Sequence, residues 1–297
     1  MILAAWVLAA VAIALAWPVP VLLSRASWPA RRPRAAMVVW QGVGLLGGLS
    51  MIGAILAWGL APFGPSPLAA VRRVVGLTRD GAFLPPEGAA HLIALGCGAL
   101  LLAHLVFTLA LTGLRMRARR ARHLAALRLV AHEAPDERNR LVVESALPLA
   151  YCLPSTGGSI TVVTDGILTA LSPAELAAVL DHERAHLDQR HDVLIWAFSA
   201  WRTALPWLPT ARLALEAVAE LIEYLADDFA VRRHEPADIA RALLVVASSN
   251  TGAPHPGLGH SEGTTTKAAL RQAAAPASPL AGRTVRRAAR LLTRVTG

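Results

Sequence analysis

His182-Glu183-Arg184-Ala185-His186 is an HExxH pentad set in a run that reads as helix. One helical turn separates the histidines, so both lie on one face and can hold a single metal ion. The glutamate between them stands where it can take a proton from a water attacking a carbonyl. At this chain's His and Glu frequencies such a pentad arises by chance in about one chain per hundred. A solvated helix face with two incidental histidines is the competing reading, and the surrounding residues weigh against it.

Ser172-Pro173-Ala174-Glu175 spells a helix start, with Ser at the N-cap, Pro at the first helical position and Glu completing a capping box. Leu176, Val179, Leu180 and Leu187 then supply the buried stripe of the helix that carries His182 and His186. Upstream, 141–143, 150–153 and 159–164 read as short strands, with Pro154, Gly157 and Gly158 turning the chain between the last two. Asp165-Gly166 is a tight-turn signal. A strand beside the pentad helix can pair with an extended peptide. Strand 159–164 leads into that helix, which makes Ile160 and Val162 the expected substrate-binding residues.

A catalytic zinc wants a third protein ligand and one position left for water. The stretch 220–228 reads as a second helix on which Glu223 and Asp227 share a face at i,i+4. Glu223 is the expected third ligand, and Asp227 can hold the free ring nitrogen of a ligand histidine from behind. Glu216, Glu220 and Glu223 as a solvated face is the alternative.

The chain has 297 residues, 55% hydrophobic and 16% charged, with a mean hydropathy of +0.47. That is too apolar for an ordinary soluble enzyme. Residues 2–23 and 36–61 carry no charge, and 89–114 carry only His91 and His104. Each run is long enough to cross a bilayer as a helix. The second holds Gly42, Gly44, Gly47, Gly48 and Gly53, residues that allow close helix approach. No basic residue precedes the first run, which favours a retained anchor over a cleaved signal. The net charge of +9 is placed by topology. Arg25, Arg31, Arg32 and Arg34 follow the first run; Arg115, Arg117, Arg119, Arg120, Arg122 and Arg128 follow the third. The positive-inside rule then puts the N-terminus outside and everything past the third span in the cytoplasm, as a multi-pass protein of the cell membrane. No nucleic-acid-binding motif accompanies the charge, so no nucleic acid is expected as partner. Cys97 and Cys152 form no disulfide framework and read as buried small residues.

Residues 160–192, ITVVTDGILTALSPAELAAVLDHERAHLDQRHD, resemble the core of the BlaR/MecR-type membrane metallopeptidases. EYLADDFAVR at 223–232 is similar to that group's third-ligand helix. The related HtpX-type family shares the HExxH…ExxxD pattern. Three spans ahead of the domain, an outside N-terminus and the Arg190-His191-Asp192 ending favour the first resemblance. It covers about 141–233 well and the spans only in layout. It implies one zinc ion per chain held by His182, His186 and Glu223, with Glu183 as general base and Asp227 orienting a ligand. It also implies a gluzincin-like fold. Within these residues there is no penicillin-binding sensor and no clear fourth span, so antibiotic sensing is not expected.

The expected fold class is an α-helical membrane protein with a zincin-like α+β metallopeptidase domain, mostly helical around a small β-sheet. A membrane domain spans 1–116, with helices at about 2–23, 36–61 and 89–114. A cytoplasmic metallopeptidase domain spans 117–247. A flexible basic tail spans 248–297, with 283–294 as a short helix on anionic lipid or in solvent. Residues 193–209, rich in tryptophan but short and carrying Arg202, read as a helix at the membrane interface. His191 reads as capping or packing near the end of the pentad helix, with lining the site as its alternative; His91 and His104 read as buried polar contacts within the third span rather than a second metal site, and Tyr151 as core or oxyanion donor. The expected function is a membrane-bound zinc endopeptidase acting on a protein substrate. A non-catalytic membrane sensor with a structural zinc, or an HtpX-type quality-control protease, are its alternatives. Its partners are that substrate and the lipid bilayer.

Overall fold

A computed structural model gives the fold and describes residues 1–80, 86–133, 139–155, 158–249, 284 and 286–291. Helices α1 (Ile2–Ala16), α2 (Pro18–Arg25), α3 (Trp28–Arg31), α4 (Pro33–Leu60), α5 (Pro67–Arg79) and α6 (Pro86–Val130) come first. Strands β1 (Ala131–Glu133), β2 (Arg140–Val143), β3 (Ala150–Ser155) and β4 (Gly158–Thr164) follow. The chain then returns to helix: α7 (Asp165–Ala170), α8 (Pro173–Asp188), α9 (His191–Ala204), α10 (Pro209–Ala230) and α11 (Pro236–Ser249). The expected mixture of many helices and a small sheet is therefore present. The chain divides into two compact units, 1–118 with 193–221, and 119–192 with 222–297.

In the first unit, Ile2–Arg25, Pro33–Phe63 and Gly88–Val130 are long and apolar enough to cross a membrane. Their surfaces carry exposed Leu3, Trp6, Ile13, Leu45, Leu49, Leu100 and Phe107, a distribution suited to lipid rather than water. Cys97 lies among these exposed positions instead of in a core. Of the six glycines in α4, Gly47, Gly53 and Gly59 face Leu15, Leu8 and Leu95, Gly44 lies under Trp201, and a Cβ at Gly42 or Gly48 would meet nothing within 4 Å among the described residues. Pro18 breaks the first span between α1 and α2, leaving carbonyls at the end of α1 without helical partners. The fully buried Thr210 hydroxyl donates to two of them, Leu15 O at 3.0 Å and Ala16 O. His91 donates from Nδ1 to Trp58 O at 2.9 Å and His104 from Nε2 to Ala204 O at 3.2 Å. Both make polar contacts to backbone, but His104 is exposed and His91 only half-buried, not buried as expected. At 14 residues α9 extends about 21 Å, less than the roughly 30 Å of a bilayer core. Its Trp196 Nε1 donates to Leu109 O at 2.9 Å.

The second unit is built on a sheet of order β1-β2-β4-β3. β2 and β4 are parallel, with Leu141 opposite Val162, while β3 returns antiparallel on the other side of β4. One face buries Leu141, Ile160 and Val162 against Leu127, with Tyr151 and Leu153 alongside. The opposite face buries Val163 with Ile167, Leu171 and Leu180, the last from α8. This arrangement corrects the expectation for Ile160 and Val162. β4 has a strand on each side, so its backbone is already paired and both side chains are core. The β3–β4 hairpin moves the edge to β3, which among the described residues pairs on one side only.

A second correction concerns Asp165-Gly166, which opens α7 instead of a tight turn. Buried Thr164 caps that helix, accepting from Ile167 N, and also donates to Leu147 O at 2.6 Å. Gly166 is fixed by space: a Cβ there would lie 2.3 Å from Ala146 O. We expect Gly166→Ala to cost roughly 1–3 kcal/mol or more through forced backbone movement, read as a lowered melting midpoint in detergent. Gly76→Ala, where a Cβ meets nothing within 4 Å, should leave the midpoint unchanged or slightly raised.

Candidate metal centre

The capping box is formed in full: Ser172 Oγ accepts from Glu175 N, and Glu175 accepts from Ser172 N at 2.9 Å. From that start α8 runs unbroken through the pentad, with Ala178, Leu180, His182 and Ala185 buried. α10 brings the second half of the site, with Tyr224, Leu225, Ala226 and Asp227 all buried around the half-exposed Glu223. The five residues expected to form the centre therefore come from two helices of one unit.

The ring atoms are arranged in two tiers. His182 Nε2 and His186 Nε2 lie 3.3 Å apart. Glu223 reaches both, with Oε2 3.5 Å from the first and Oε1 3.8 Å from the second. One ligand atom from each of the three falls within 4.8 Å of the others. A tetrahedral centre with bonds of about 2.0–2.1 Å separates its ligand atoms by roughly 3.3 Å, so the donor set and spacing fit zinc. Behind the rings, His182 Nδ1 lies 3.1 Å from Asp227 Oδ1, and His186 Nδ1 lies 3.1 Å from His191 Nδ1. Asp227, 0% exposed, thus stands behind His182, the place a carboxylate orienting a ligand histidine needs.

The electrostatics follow from burial and these neighbours. Burial alone would keep His182 neutral, but contacts from Asp227 and Glu223 outweigh it and push its pKa up to about 9. Carboxylates that favour a proton on this ring favour a metal cation in its place. His186 is driven the other way, to about 3, by burial and then by the His182 charge. Glu223 is held well below the usual carboxylate range, because Arg287 and the two histidines overcome its burial. Glu183 is pushed up to about 7, chiefly by burial, which suits a group that must first accept a proton and then return it. Cys152 on β3 is raised by burial and, less, by the Glu183 charge. The Tyr151 hydroxyl is engaged with His123 Nε2 at 3.0 Å, and the residue packs in the sheet core rather than serving as an oxyanion donor.

Arg287 has no counterpart in the sequence expectation. Its Nε and Nη2 donate to the two Asp227 oxygens at 2.9 and 2.6 Å, and Nη1 lies 2.7 Å from Glu223 Oε2. Nη2 also approaches His182 Nε2 at 3.3 Å. Next along, Arg290 pairs with Asp228 at 2.8 Å and lies over the Tyr224 ring. Ala288 and Leu291, the latter 0% exposed, join Ala178, Ala230, Ile239 and Ala240 in one cluster. Residues 286–291 are therefore built into the second unit, where the sequence places a basic tail on lipid or in solvent. The expected flexible stretch 250–283 lies outside the described residues. The available signal was Ala288 and Leu291 at i,i+3, an apolar stripe hidden in a run dominated by arginine.

A model of Peptidase family M48 matches residues 115–221, a stretch that contains the pentad and ends two residues before Glu223. Peptidases of that family are zinc-dependent, and the match supports a metallopeptidase. Among solved structures, the crystal structure of S. mikatae Ste24p is similar, with 13% identity, a TM-score of 0.40, and coverage of 97% of this chain and 98% of that one. No curated protein matches.

Removing Arg287 leaves Asp227 ionised in a fully buried position. In metal-free protein we expect Arg287→Ala to cost roughly 3–5 kcal/mol, measured by denaturant unfolding in the presence of chelator. A loss below about 0.5 kcal/mol would show that the pairing is not a structural element of the site.

Proposed function

We propose that the chain is a membrane-bound zinc endopeptidase of the BlaR/MecR type. Zinc would be held by His182, His186 and Glu223, with Glu183 as general base and Asp227 behind His182. The convergence of the two Nε2 atoms and the Glu223 carboxylate carries this reading. Bound there, zinc supplies a Lewis acid that polarises a carbonyl and eases deprotonation of water near neutral pH.

The chain's own residues account for the remainder. Asp227 and Arg287 fix the His182 ring and the Glu223 carboxylate, so that the ligand atoms need little reorganisation. Glu183 removes the proton of the attacking water and delivers it to the leaving amine. Among the described residues β3 pairs on one side only, so its other edge, beside α8, could take an extended peptide. Three apolar spans hold this chemistry at a bilayer, which favours membrane proteins or cytoplasmic regulators, such as a transcriptional repressor, as substrates. The arginines after the first and third spans support an outside N-terminus and a cytoplasmic catalytic domain.

The test is zinc content and casein cleavage of detergent-purified protein. Wild type should carry about one zinc per chain, and His186→Ala should lose it. Glu183→Gln should keep the zinc and lose cleavage by about a hundredfold or more. Retained cleavage in Glu183→Gln would overturn the mechanism. Zinc binding without cleavage by wild type would instead favour a sensor with a structural metal.

A further inference from the structure

A histidine can bind metal through Nε2 only when that atom carries the lone pair, which puts the ring proton on Nδ1. The Nδ1–H then needs an acceptor behind the ring. For His182 the group in that place is the Asp227 carboxylate, whose Oδ1 lies 3.1 Å from Nδ1. For His186 the atom in that place belongs to another imidazole: His191 Nδ1, 3.1 Å from His186 Nδ1, with the rings nearly perpendicular at 78°. Two neutral imidazoles facing each other through Nδ1 can share only one proton. If His186 holds it, its Nε2 lone pair is available to the metal. If His191 holds it, His186 carries its own proton on Nε2 and leaves the ligand set.

We propose that His191 is a positioning residue whose Nδ1 accepts the His186 Nδ1–H and so keeps His186 in its metal-binding tautomer. This rests on the zinc reading above. Two further observations separate it from simple packing. His191 is only 3% exposed, and its Nε2 has no hydrogen-bond partner among the described residues. Among the described residues, the ring's one hydrogen-bonding contact is the one to His186. The preceding Arg190 also adopts φ 49°, a left-handed conformation uncommon for a non-glycine residue. That turn ends α8 and swings the chain so that the first residue of α9 lies behind the second pentad histidine. Local strain of this sort is kept where the geometry it produces matters.

The variants differ in where they put an acceptor. Asn places its Oδ1 at nearly the position of the histidine Nδ1, Gln places its oxygen nearer the position of Nε2, and Leu offers none. Zinc affinity of the full-length protein in detergent is read by competition with a chromophoric chelator, alongside the melting midpoint of each metal-free variant. His191→Leu and His191→Gln should bind zinc about 10–100-fold more weakly than wild type. His191→Asn should stay within about threefold of wild type while melting no higher than the Gln variant. Comparison of Asn with Gln decides the matter even where the Leu variant does not fold. Equal affinity across the three variants and wild type would overturn the proposal. So would equal weakening in Asn and Gln. Absence of zinc binding by wild type would instead overturn the reading on which it rests.

Discussion

Two imidazole nitrogens 3.3 Å apart repel one another when both present a lone pair, unless each ring is held from behind and a cation lies between. Everything specific about the second unit serves that constraint. α8 supplies the rings one turn apart, and α10 supplies the carboxylate that completes the set. Asp227 and His191 stand behind the rings, and Arg287 balances the negative charge that Asp227 and Glu223 bring to the site.

The helix pair alone does not fix these atoms. α8 is set on the sheet by Leu180, which packs with Val163, Ile167 and Leu171. The carboxyl-terminal turn is set by Ala288 and Leu291 against residues of α8, α10 and α11. The second unit therefore extends past α11 to a segment more than sixty residues along from Glu223. Arg287 ties the two together through charge as well as packing. Such a closure couples the folding of the C-terminal segment to the order of the ligand helix.

What was legible in the sequence was local. The capping box at Ser172, the i,i+4 pair Glu223–Asp227 and the three apolar spans each depend on residues within a turn or a helix of one another. Their geometry follows from helical periodicity. What was not legible depended on pairing across the chain. Nothing in 159–164 tells that β3 folds back to cover its edge, and so Ile160 and Val162 read as a substrate strand although they are core. Asp165-Gly166 carries turn chemistry, but the cap from Thr164 turns it into a helix start. His191 and Arg287 are the harder cases. The first needs the left-handed turn at Arg190 to come behind His186, and the second reaches back sixty positions to find Asp227. Charge density read along the chain pointed Arg287 toward lipid, whereas in three dimensions the nearest anions are the site's own.

X-ray absorption at the zinc edge of the purified protein reads the identity of the three ligands most directly. A first shell of nitrogen and oxygen only, at about 2.0–2.2 Å, is expected, with outer-shell scattering from two imidazole rings. A sulfur scatterer at about 2.3 Å, or scattering from fewer than two imidazoles, would contradict it.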